Sequence, residues 1–262
     1  MCGIAGFSLS PNSSVPRTLA AQALLAAIAE RGADAVGYAF RCQDDPIAVH
    51  KQRSGASALL DRIDVPGDAS ELLVHVRDYT KGHPRITANN HPIRHGAVVG
   101  IHNGIIFNDE EILAEHGFNR AAPQMTVDSE AIFALVDAWP GRAQVFEELR
   151  GSMAAAWLDE RRPGRVFCAR GAGRPLWLGE STEGAFFAST KQALEIVERF
   201  VGLRLRKREI PEGLLISLSE GCVAREQPFA PNRAFSEQAL PAVRAPQEGA
   251  SCLKRLAALA GA

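Results

Sequence analysis

The chain has 262 residues, 46% hydrophobic and 23% charged, with 29 Lys and Arg against 30 Asp and Glu for a net charge of -1. That balance leaves no electrostatic footprint for nucleic acid or an anionic membrane, and no apolar run reaches the ~18 residues a membrane span needs. The N-terminus lacks the features of a signal peptide, and the five cysteines are odd in number, scattered and without a CxxC pair, which speaks against a disulfide framework or a zinc site and for a reducing cytoplasm.

In chain order, Gly3 to Leu9 reads as a buried strand. After the turn-forming Pro11-Asn12-Ser13-Ser14, the Ala/Leu-rich stretch Arg17 to Glu30 is spaced as a soluble helix and closes at Arg31-Gly32. Val36 to Cys42 and Ile47 to Arg53 form a strand pair across the polar turn Gln43-Asp44-Asp45-Pro46. Ser57 to Ile63 suggests a short helix, and Glu71 to Arg77 is a β-rich run that ends on a charge. Asp78 to His95 shows no period, which inside a compact domain marks a functional or disordered loop. The apolar runs Ala97 to His102 and Ile105 to Asn108 flank Asn103-Gly104, a dipeptide that predicts a tight hairpin turn. Helices follow at Glu110 to His116 and Ser129 to Trp139, the second starting at Thr126 or Asp128.

From Ser152 the texture changes to short strands at Met153 to Leu158, Arg165 to Arg170, Pro175 to Leu178 and Ala185 to Ser189. A helix from Lys191 to Phe200 precedes two more strands, Leu203 to Arg208 and Leu214 to Leu218. Pro228 to Ala250 reads as a surface-running or mobile tail, and Cys252 to Ala260 as a terminal helix. Strands and helices without regular βαβ alternation predict an α+β fold, with packed sheets inside and helices outside, in one domain.

The chemistry centres on Met1-Cys2. With Met1 removed, Cys2 presents a thiol nucleophile beside its own α-amine, which titrates near pH ~8 and can take the thiol proton. Arg31-Gly32-Ala33-Asp34-Ala35-Val36-Gly37, taken alone, reads as a helix stop and a turn. Arg77 is either an ion-pair partner of Asp78 or a two-pronged grip on a carboxylate. Asn103-Gly104 is a turn, an oxyanion hole built from the Asn103 amide and the Gly104 N–H, or both. Each donor of such a hole commonly contributes ~3–4 kcal/mol to a tetrahedral intermediate. Thr126 to Glu130 is a helix N-cap or supplies a carboxylate for an ammonium group. His83, His91, His95 and His102 lie in or near the long loop without HxH or HExxH spacing, so no metal is expected, and no Gly-rich phosphate loop is present.

Taken in order, these pieces resemble the class II glutamine amidotransferase domain, the glutaminase unit of glutamine phosphoribosylpyrophosphate amidotransferase, glucosamine-6-phosphate synthase and asparagine synthetase. The matching residues are Met1-Cys2-Gly3-Ile4, Arg31-Gly32-x-Asp34-x-x-Gly37, His75-x-Arg77-x-x-Thr80-x-Gly82, Asn90-His91-Pro92, His102-Asn103-Gly104-x-Ile106, Asp128-Ser129-Glu130 and Gly151-Ser152-Met153. Ala169-Arg170, Arg174-Pro175-Leu176 and Phe187-Ala188-Ser189 resemble the family's closing strands.

The resemblance implies a four-layer αββα sandwich of the N-terminal nucleophile hydrolases over residues 2–227, with 228–262 as a C-terminal tail carrying a short helix. It also implies roles. Cys2 attacks the side-chain amide of L-glutamine while its amine shuttles the proton. Asn103 and Gly104 hold the oxyanion, Arg77 the α-carboxylate and Asp128 the α-ammonium, and Thr80 helps close the pocket. Ammonia leaves, then water cleaves the thioester to glutamate, with no cofactor. Two departures stand out: Lys81 occupies a position where the family often has a small residue or histidine, and Asp78 is placed to neutralise Arg77. The residues after about 220 are too few for a second catalytic domain, so either a separate synthase subunit accepts the ammonia or nothing does. Two other readings are an amidohydrolase acting on a γ-glutamyl or other small amide, and a non-catalytic module that senses glutamine.

Overall fold

The run expected as the first strand is β1 (Gly3–Leu9), and all seven of its residues are buried. Alternation explains why, since successive side chains of a strand point to opposite faces. Ala5, Phe7 and Leu9 enter a core shared with helices, whereas Ile4 enters one shared with a second sheet. A computed structural model describes residues 1–43 and 45–261; Asp44, in the turn expected after Cys42, lies outside the described residues.

β1 is the middle strand of seven. The order is β11 (Arg206–Glu209), β9 (Trp177–Glu180), β10 (Gly184–Ala188), β1, β4 (Ala69–Arg77), β2 (Ala35–Cys42) and β3 (Ala48–Gln52). The second sheet runs β13 (Cys222–Pro228), β12 (Leu214–Ser219), β8 (Arg165–Arg170), β7 (Gly151–Asp159), β6 (Val98–Ile106) and β5 (Ile93–His95). Neighbouring strands in both sheets are antiparallel.

Three cores separate four layers, as expected for an αββα sandwich. α1 (Arg17–Ile28), α4 (Lys191–Val201) and α5 (Pro246–Ala260) cover the first sheet through Leu24, Leu25, Leu194 and Leu256. α2 (Asp109–Glu115) and α3 (Ser129–Ala138) cover the second through Ile112, Ile132 and Phe133. Between the sheets lie Ile4, Leu73, Val99, Ile101, Phe187 and Ile216. α4 shows how local signals set its ends: Thr190 Oγ1 accepts the Ala193 N–H at 3.1 Å, and Gly202 closes the helix at φ 75°. No helix among the described residues is long and apolar enough to cross a membrane.

Four expectations need correction. Asn103-Gly104 makes no hairpin, because β6 runs straight through it and pairs Asn103 with Ala154 and Gly104 with Met153. Pairing along the whole of β7 outweighs a two-residue turn preference. Ser57 to Ile63 forms two short 3-10 turns, Ala56–Ala58 and Leu60–Arg62. The polar edge strand β13, whose side chains are mostly exposed, has no apolar alternation to announce it. The terminal helix starts earlier than expected, at Pro246, and buries Gly249, Cys252 and Leu256.

Candidate active site

Strand parity brings the expected residues together. Cys2 precedes Ile4 by two positions and so points between the sheets. β1 pairs Gly3 with Val76, which sets Cys2 across from Arg77 at the end of β4. Asn103 follows Ile101 by two positions on β6 and enters the same interlayer from the other sheet. A narrow cleft at this end is lined by Cys2, Arg77, Thr80, His91, Gly104 and Asp128, with Asp78, Tyr79 and Lys81 at its mouth. Its open volume is about 10 Å³, that of one water molecule. A larger cavity of about 330 Å³ lies at the opposite end of β1, around Ser8, Arg17 and Glu220, and contains none of the motif residues.

Burial pushes the Cys2 thiol above its ordinary pKa, opposed by a backbone hydrogen bond from Asp78 and by the charge of Arg77; the thiol itself donates to the Asp78 carbonyl at 3.4 Å. The group therefore rests as a thiol and needs a base. Arg31, which read as a helix stop, is buried beside it: its Nε donates to the Cys2 carbonyl at 2.8 Å, and its Nη2 has no partner among the described residues. The glycines around Arg31 permit close approach. A Cβ on Gly32 would lie 2.4 Å from the Arg77 carbonyl oxygen, and one on Gly37 2.4 Å from that of His91. Asp34 completes this stretch by accepting the Tyr79 N–H at 2.9 Å. Only the fold reveals that these residues support the Arg77–His91 loop.

Arg77 does not pair with Asp78, contrary to expectation. Its Nη groups donate to the carbonyls of Asn89, Lys81 and Gly82 and to Asn90 Oδ1, holding the loop closed. Asp78 Oδ2 instead meets the Met1 ammonium and Arg244 Nε. Lys81 is drawn aside to Asp109 at 2.7 Å and Glu110 at 3.2 Å. Thr80 sits exposed on the rim.

The Asn103 side chain is 1% exposed, and neither its oxygen nor its nitrogen has a partner among the described residues. A buried amide left unpaired is costly, typically by ~1–3 kcal/mol. Gly104 has φ 149°, and a Cβ there would lie 1.9 Å from the Ser152 carbonyl oxygen. Gly104→Ala is expected to destabilise the fold by at least about 3 kcal/mol, read from the denaturant midpoint.

Asp128 does not cap α3 with its side chain. Its Oδ2 accepts the Ile106 N–H at 2.8 Å, and burial raises its pKa to about 6. Asp128 thus stands at the N-cap position of α3, as expected, while its carboxylate is bonded elsewhere and faces the cleft. His91 also lines the cleft with both ring nitrogens unpartnered, stacked 4.2 Å from His75. Burial lowers His75 and His102 to about 3 and His91 well below its usual value, so all three stay neutral.

Comparison with known proteins places these motifs in a wider setting. Residues 83–196 match a family model described as a glutamine amidotransferase domain. Glutamine–fructose-6-phosphate aminotransferase [isomerizing] of Methanothermobacter thermautotrophicus is 31% identical over 207 residues, covering 74% of this chain and 34% of that protein. The 7-cyano-7-deazaguanine synthase of Saccharolobus solfataricus is 26% identical over 214 residues, covering 72% of this chain and 43% of that protein. The chain thus spans about a third to two-fifths of the length of these relatives. In fold it is similar to the glutamine phosphoribosylpyrophosphate amidotransferase of B. subtilis, with TM-score 0.66 and 17% identity over 88% of this chain and 50% of that one.

Proposed function

We propose that this chain, which belongs to the class II glutamine amidotransferase domain family, hydrolyses the side-chain amide of glutamine through a thioester on Cys2. The observation that carries the reading is the buried, unpartnered Asn103 amide, entering the interlayer to which Cys2 also points. Such a donor is prepaid in the fold and gains a partner when a tetrahedral oxyanion forms.

In this reading the free α-amine of Cys2 takes the thiol proton as Sγ attacks the amide carbon. The oxyanion is held by Asn103 and Gly104. As the C–N bond breaks, the amine passes its proton to the leaving nitrogen and ammonia departs. Water, deprotonated by the same amine, then cleaves the thioester to glutamate. The substrate carboxylate displaces a loop carbonyl from Arg77, its ammonium meets Asp128, and Thr80 closes the rim.

The glutaminase domain comprises residues 2–227. A synthase in another domain or subunit consumes the ammonia, and a reactive thiol suits a reducing cytoplasm. The test is to supply protein beginning at Cys2 with glutamine or with a γ-glutamyl amide. Equal release of glutamate and ammonia from glutamine is expected, whereas preference for the γ-glutamyl amide would assign the site to that class instead.

A further inference from the structure

The segment between β13 and α5 runs from the second sheet to the first at the end of the molecule that holds the cleft, and we propose that it is a strap that must lift before substrate reaches Cys2. The identity of that substrate rests on the glutaminase reading; the geometry of the strap does not.

Its course is set by contacts at both ends. Asn232 bridges to Arg150, and the Ala230 N–H donates to Glu147 at 2.9 Å. The Phe235 ring lies 5.9 Å from Phe107, just beyond the end of the β6 strand that carries Asn103 and Gly104. Glu237 pairs with Arg174, both only 11% exposed. At the far end Arg244 Nε reaches Asp78 Oδ2 at 3.4 Å, and the Arg244 and Ala245 N–H groups both donate to the Glu30 carbonyl. α5 then packs into the core and fixes the rest.

The Arg244 end of the strap lies beside the nucleophile. Asp78 accepts the Cys2 thiol through its carbonyl, and Glu30 precedes Arg31, which holds the Cys2 carbonyl. Asp78 also begins the loop whose Lys81 and Gly82 carbonyls Arg77 holds shut, so Arg244 pins the loop as well as the strap.

Between the anchors, residues 236–243 make no backbone hydrogen bond among the described residues. A segment tied by side chains at its ends and free along its main chain opens locally without unfolding what it covers. The cleft beside it, which Asp78 lines, admits one water molecule and is far too small for an amino acid. The exposed ring of Phe107, against which Phe235 lies, would be uncovered further when the strap lifts.

The strap is tested with protein beginning at Cys2, by joint Glu237→Gln and Arg244→Gln substitution and separately by Phe235→Ala. Alkylation of each cysteine by the uncharged reagent iodoacetamide is followed by peptide mass spectrometry. The expected result is Cys2 modified about fivefold faster in both variants, with the exposed Cys222 unchanged, and a KM for glutamine lowered by a similar factor. An unchanged Cys2 rate in both variants overturns the strap, even where glutamine is hydrolysed. Accelerated Cys2 alkylation in proteins that never hydrolyse glutamine upholds the strap and removes the glutaminase reading.

Discussion

Replacing Cys2 with alanine is expected to lower ammonia release from glutamine by at least about 10³-fold while leaving the melting temperature nearly unchanged. The large effect follows from the cleft, where Cys2 is the sole thiol among the lining residues. The small one follows from packing. Cys2 is half-buried, and its Sγ makes a single long hydrogen bond, so truncation removes little from the core. A protein that keeps Met1 should be equally inactive with its thiol intact, because the base is then locked in a peptide bond. Ammonia assays on both forms, with intact mass to establish the first residue, check this pair of outcomes. Activity that survives in Cys2→Ala would sink the mechanism.

The second large effect concerns Asp128, whose pKa of about 6 exceeds the 3.8 of the free side chain. A carboxyl that holds its proton more tightly when folded is stabilised in acid. Its contribution therefore turns unfavourable as pH rises from about 4 to about 6, and the penalty persists above that, of the order of 3 kcal/mol at pH 7. Asp128→Asn keeps an oxygen for the Ile106 N–H and removes the charge. It should raise stability at pH 7 by up to that amount, leave stability near pH 4 almost unchanged, and raise the KM for glutamine about 10²-fold for want of an ammonium partner. In the unsubstituted enzyme KM should climb as pH falls through 6. Urea unfolding at two pH values and a KM profile are sufficient, and a variant less stable at pH 7 with unaltered KM would falsify this account of the residue.

Much of this was legible in the sequence because the elements carry strong local signals. β1, α1, α3 and α4 sit within a few residues of their expected bounds. The site motifs were legible too, since Cys2, Arg77 and Gly104 lie at strand ends or close-approach points whose residue types are tightly constrained. What was not legible depends on contacts distant in the chain. Nothing local to Arg31 says that its guanidinium will reach the Cys2 carbonyl, and nothing near Arg77 says that it will be occupied by loop carbonyls. Asn103-Gly104 misled as a turn because a local preference was overruled by the length of β7 facing it. The tail appeared uncommitted because its anchors, Phe235, Glu237 and Arg244, are single side chains set among Ala and Pro.

Chain ends ordinarily fray, and a nucleophile placed on one would be expected to wander. Here the end is stitched into the centre of a seven-stranded sheet, with β4 on one side and β10 on the other. Freeing β1 means tearing both ladders and opening the cores above and below it. The first strand of the chain thus belongs with the last elements to let go, and displacement of Cys2 on heating is expected to coincide with melting of the whole domain.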